Sequence, residues 1–134
     1  MFASSTAQGR RPLRALLAAA LFAALPLAAH ADPGVVRVKD ATGAHYADAS
    51  GMTLYVFDKD AKGMSACTGA CAAKWPPLTA AAGSSAAGDF APIKRPDGSL
   101  QWALGGRPLY LWQGDTAPGE TTGDGVGGVW HVAR

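Results

Sequence analysis

Beyond residue 34 the chain alternates short apolar or aromatic runs with glycine-bearing turns, about every eight to twelve residues, the spacing of an antiparallel β-meander. Val35 to Val38 opens a first strand, Thr42-Gly43 turns it, and His45-Tyr46-Ala47 brings it back. Gly51 turns the chain again, and Thr53 to Phe57 forms a third strand. Phe90 to Ile93, Pro96-Asp97-Gly98, Leu100-Gln101-Trp102, Gly105-Gly106 and Pro108 to Trp112 restate that order. A displacement of 55 residues without a gap lays Val38–Asp60 on Ile93–Asp115, with identities at Lys39/Lys94, Gly43/Gly98, Gly51/Gly106, Leu54/Leu109, Tyr55/Tyr110 and Asp60/Asp115. Trp75 and Trp130 fall in the same register. A periodicity of this length marks tandem structural units.

The pattern predicts an all-β fold: two tandem antiparallel meander repeats in one small domain, residues 32–78 and 90–134, joined by a low-complexity linker over 79–89. One short helix is expected around Ala66–Lys74, stopped by Pro76-Pro77, which cannot continue it. Val129 to Val132 is expected to be a closing strand. The third strand of each repeat is apolar on both faces, with Tyr55 and Phe57, or Tyr110 and Trp112, sharing one of them. These two strands are expected at the centre of the domain, related by a pseudo-twofold axis.

Residues 1–31 have a different character. Arg10, Arg11 and Arg14 precede an apolar stretch from Ala15 to Ala29, and Ala29-His30-Ala31 is a small-residue cleavage pattern, so the segment is expected to be a secretory signal peptide, removed on export. The apolar stretch is shorter than the roughly 20 residues of a spanning helix, and no later stretch approaches that length. Of 12 Lys and Arg, three lie in this segment, leaving 9 against 10 Asp and Glu, a net charge of −1. With no basic run longer than Lys94-Arg95, nucleic acid and anionic membrane are not expected as partners. The expected product is a soluble monomer in the periplasm or outside the cell.

Cys67 and Cys71 are the only cysteines, and in an oxidising compartment a disulfide between them is the first expectation. Its five-residue loop contributes roughly 2 kcal/mol in the chain-entropy account. The alternative is a copper or redox site, with Met64, His45 and His131 joining the two thiolates, because soft sulfur donors favour Cu(I). No cofactor is expected under the first reading and copper under the second. The Tyr/Asp pairs also admit two readings. A buried phenol needs a partner, and Asp60 or Asp115, five residues on, is placed to accept from the tyrosine of its own repeat or from loop N–H groups. An acid/base pair opening into a cleft is the competing reading. No Ser-His-Asp spacing or G-x-S-x-G occurs, so no catalytic residue is assigned.

Tyr55-Val56-Phe57-Asp58-Lys59-Asp60 and Tyr110-Leu111-Trp112-Gln113-Gly114-Asp115, with CTGACAAKWPPL between them, resemble a bacterial secreted-repeat family of unknown function, predicted lipoproteins with a Y-x-(F/W/Y)-x-x-D motif. The resemblance places Tyr55, Phe57, Asp60, Tyr110, Trp112 and Asp115 in the motif and implies an exported tandem β-repeat. It implies no activity, and the sequence lacks the cysteine a lipid anchor would need at the cleavage point. The functional expectation is a non-catalytic binding or envelope-associated module with an unidentified ligand or envelope partner.

Overall fold

Two hairpins open the two repeats. In the computed structural model the described residues are 32–134, with Ala3 and Gly9 besides; the leader expected over 1–31 otherwise lies outside them. β1 (Val36–Asp40) pairs with β2 (Gly43–Ala47), and β5 (Phe90–Lys94) with β6 (Leu100–Leu104). Asp40 fixes the first turn by accepting from Thr42 N–H and Oγ1 at 2.8 Å each. Asp97 does the same for Ser99, at 2.9 and 2.6 Å, and Gly98 supplies the positive φ of 86° there. The second turn is one residue longer, since Lys39 faces Ala44 whereas its counterpart Lys94 faces Leu100. The ungapped 55-residue register therefore slips to 56 along the second strand. His45 corresponds to Gln101 and Tyr46 to Trp102, and the shorter turn before Leu109 restores the register.

The third strands depart furthest from the expectation. β3 spans only Tyr55–Phe57 and pairs with β8 (Trp130–Val132), the closing strand of the other repeat. In the second repeat, β7 (Arg107–Pro108) pairs with β6, and the chain then runs beside residues 76–78 of the first repeat. Leu78 N–H donates to Leu109 C=O at 2.9 Å and Leu111 N–H to Pro76 C=O at 2.7 Å. This ladder stays fragmentary because Pro76 and Pro77 bring no N–H to it. Where the two tracks meet, Tyr55 and Tyr110 exchange backbone hydrogen bonds of 2.8 and 3.0 Å. The repeats thus lie about a pseudo-twofold axis at these tyrosines, each borrowing a strand from the other.

Alternation along the third strands separates two cores. Tyr55 and Tyr110 face one built with Cys67, Trp75, Trp130 and Val132; Leu54, Val56 and Leu109 face another closed by Ala133. α1 spans Ala70–Lys74 rather than 66–74. Gly69, at φ 60°, breaks the helical path in a conformation open to glycine, so Cys67 stands before the helix. The expected linker is partly strand: β4 (Thr79–Ala80) adds to β6, and only the chain beyond it is loop until the Ala87–Phe90 turn.

Candidate functional site

Each motif tyrosine reaches across the axis. Tyr55 Oη donates to Asp115 Oδ2 at 2.6 Å, and Tyr110 Oη to Asp60 Oδ2 at 2.7 Å. The same-repeat pairing expected from sequence is therefore replaced by an exchanged one, because borrowing β8 and residues 76–78 places each tyrosine beside the other repeat's exit turn. Both tyrosines are fully buried. Asp115 Oδ1 accepts from Thr122 N–H and Oγ1 at 3.0 and 2.6 Å, and Asp60 Oδ1 from Ala66 N–H at 2.7 Å. Burial, and then the acidic partner, push both phenols well above the ordinary tyrosine range, and burial raises Asp60 above the usual carboxylate value.

The raised phenols predict an alkaline limit. Unfolded tyrosine ionises near pH 10, so above that pH the unfolded chain releases protons that the folded chain retains at Tyr55 and Tyr110, and stability falls as pH rises. Urea midpoints are expected to drop steadily from about pH 10 upward, with phenolate absorbance from these residues appearing only on unfolding. Midpoints that stay level through this window contradict the burial argument.

Four rings stack across the axis. Phe57 lies on Trp130 at 4.1 Å, Trp130 on Trp75 at 3.8 Å and 3°, and Trp75 on Trp112 at 4.1 Å between centroids. Tyr55 meets Trp75 edge-on at 5.3 Å, and Tyr110 meets Trp130 at 5.1 Å. The order is palindromic under the 55-residue displacement, so the column is a product of the repeat. Phe57 and Trp112, at its ends, are half-buried. Gly123 seals its flank: a Cβ there would come within 2.8 Å of Trp75, 2.9 Å of Tyr55 and 3.0 Å of Trp112. Its N–H donates to Tyr55 Oη at 3.2 Å.

One buried charge was not foreseen. Arg95 is 5% exposed, and its guanidinium donates to Ser65 Oγ at 3.0 Å, Gln101 Oε1 at 2.7 Å and Cys67 C=O at 2.7 Å. Ser65 Oγ lies 2.7 Å from Tyr110 Oη, which links Arg95 to the Tyr110–Asp60 pair. The corresponding place in the first repeat holds Asp40 with His45, whose Nδ1 donates to Asp40 Oδ2 at 2.6 Å. That bond, with those from Thr42, holds the Asp40 carboxyl well below the usual range. The only sequence signal for Arg95 was a charged residue at one register position in both repeats.

Cys67 and Cys71 are joined in a disulfide, with Cα atoms 5.2 Å apart, packed against the aromatic column. The other members of the copper alternative are dispersed. His45 is buried between Asp40 and Thr53, His131 Nε2 donates to Asp58 Oδ2 at 2.7 Å on the surface, and Met64 is exposed. Among the described residues, no three His, Cys, Asp or Glu side chains gather as a metal site.

A cleft of about 450 Å³ lies away from the motif, lined by Asp32, Pro33, Val35, Ser85, Ala86, Ala87 and Phe90. Phe90 is held there by the edge of Tyr46 at 5.7 Å, and Arg37 covers the Tyr46 ring at 4.4 Å.

The profile of a family described as a secreted repeat of unknown function matches the chain twice, at residues 36–79 and 91–134. The two matches are displaced by 55 residues, the register read from the sequence. No curated protein and no solved structure matches the chain. Among the described residues, no helix is long and apolar enough to cross a membrane.

Proposed function

The chain belongs to the secreted repeats of unknown function, and on that footing we propose that it is a non-catalytic binding module of the periplasm or cell exterior. In this reading the Tyr/Asp motif builds the scaffold, and a ligand is taken at the cleft outside it. The observation that carries the proposal is the origin of the cleft's lining: none of its seven residues falls within either matched repeat. In this reading the matched stretches supply the frame, and the residues before and between them supply the ligand site. The motif, by contrast, spends its hydroxyls and carboxylates on itself, and among the described residues no buried side-chain nitrogen or oxygen lacks a partner.

The size of the cleft falls in the range of small-molecule sites, roughly 300–1,000 Å³. Pro33, Val35, Ala86, Ala87 and Phe90 make its lining mostly apolar, with Asp32 and Ser85 adding polarity. The ligand class is a small, mainly apolar group carrying a polar end, whether free or part of an envelope component. Anilinonaphthalene sulfonate is a suitable probe. It is expected to bind saturably at one site, and Ala87→Trp, which fills the cleft from an exposed turn, is expected to weaken binding by about tenfold or more, a loss of about 1.4 kcal/mol. Undiminished binding by that variant, or no binding by the parent, defeats the assignment.

A further inference from the structure

The aromatic column joins three of the four tryptophans to both buried tyrosines, and each tyrosine ends on a carboxylate. Trp112, Trp75 and Trp130 follow one another at 4.1 and 3.8 Å between ring centroids. Tyr55 touches Trp75, and Tyr110 touches Trp130, at 5.3 and 5.1 Å. Trp112 meets solvent at one end; at the other, Phe57 covers Trp130 with a ring much harder to oxidise. The disulfide removes thiolates that would otherwise compete as electron donors beside Trp75.

We infer that the column is a relay for an electron hole: an outer-sphere one-electron oxidant takes an electron at Trp112, and the hole passes through Trp75 and Trp130 to Tyr55 or Tyr110. The balance is simple. The oxidant gains one electron, Trp75 returns one to Trp112, and Tyr55 returns one to Trp75. As Tyr55 loses its electron, its Oη–H bond breaks and the proton passes to Asp115 Oδ2, forming an O–H bond there. The end state is a neutral tyrosyl radical beside a protonated carboxyl. The branch through Trp130 ends in the same way at Tyr110 and Asp60. Both proton transfers run along existing hydrogen bonds of 2.6 and 2.7 Å, within the reach general-base transfer needs. Burial, which raises Asp60, makes that carboxylate the better proton acceptor. The oxidising equivalent is thereby drawn from a surface indole into a buried phenol.

Photogenerated tris(bipyridine)ruthenium(III) serves as the oxidant, followed by transient absorption and electron paramagnetic resonance. The background is Tyr46→Phe, which leaves Tyr55 and Tyr110 as the only tyrosines of the three. A tryptophan radical is expected first, converting to a tyrosyl radical, with the conversion slower in D2O. Trp112→Phe, conservative and half-exposed, is expected to lower the tyrosyl yield by about tenfold or more, one decade in rate. Asp115→Asn combined with Tyr110→Phe is expected to slow the conversion by a similar factor, about tenfold. A smaller loss with Trp112→Phe, an absent tyrosyl signal in the background protein, or a conversion indifferent to D2O overturns the relay. The isotope measurement needs no further variant, so it decides even if a substitution prevents folding.

Discussion

Residues 32–83 and 84–134, prepared as separate chains, are expected to show no cooperative unfolding as monomers and to gain a shared transition when mixed. Each half lacks the strand it borrows: β3 would have no β8, and residues 109–111 would have no 76–78. Each half also buries a tyrosine whose acceptor is on the other. A stranded buried hydroxyl costs about 1–3 kcal/mol, and the column would be cut at all three of its stacking contacts, each of which joins one half to the other. Against a whole-domain stability of about 5–15 kcal/mol, those losses leave nothing for a half of this size. Circular dichroism with urea titration, on each half and on the equimolar mixture, checks the outcome. A monomeric half with a cooperative transition would show that the crossing is incidental to folding.

The second large effect is expected at Trp75. Its ring is sandwiched between Trp130 and Trp112, takes the edge of Tyr55 and is 4% exposed. Trp75→Ala opens a cavity at the axis, where the rings on either side, Trp130 and Trp112, both belong to the other repeat and cannot collapse inward without pulling the chain that carries them. The loss is expected at about 3–5 kcal/mol, the range for large aromatic truncations in a core. Trp112→Ala, at the half-exposed end of the same column, is expected to cost less, about 1–3 kcal/mol, because less area leaves water there on folding. The order of the two urea midpoints is the test. A Trp112 variant as damaged as the Trp75 variant would mean that the column is not the centre of the core.

The repeat, the all-β class and the central position of the two tyrosine strands were legible because they are written in local periodicity. Tyr55/Tyr110 and Trp75/Trp130 held their register all the way into the structure. The disulfide followed from two cysteines four residues apart, whereas the half-exposed Phe57 and Trp112 lie on strands whose apolar faces read as covered on both sides. What escaped was set by contacts distant in sequence. Identical motifs give no sign of which aspartate each tyrosine takes, since both choices satisfy the same spacing; the borrowed strands decide it. The slip to a 56-residue register at His45/Gln101 was hidden because the compensating turn restored the alignment within a few residues. Arg95 resembled half of a surface Lys-Arg pair, and only Ser65, Gln101 and the Cys67 carbonyl, brought together by the fold, make it a buried centre. The helix began later than expected because Gly69 interrupts its first turn.

The crossing of the repeats also dictates an order of events. β3 is made 73 residues before its partner β8, counting from Phe57 to Trp130, and Tyr55 waits 60 residues for Asp115. Pairings of such separation form slowly, after the loop between them has closed. The amino-terminal repeat therefore cannot complete its core while the rest of the chain is still being made. A chain whose two halves complete each other in this way is expected to reach its native pairing only once its synthesis is done.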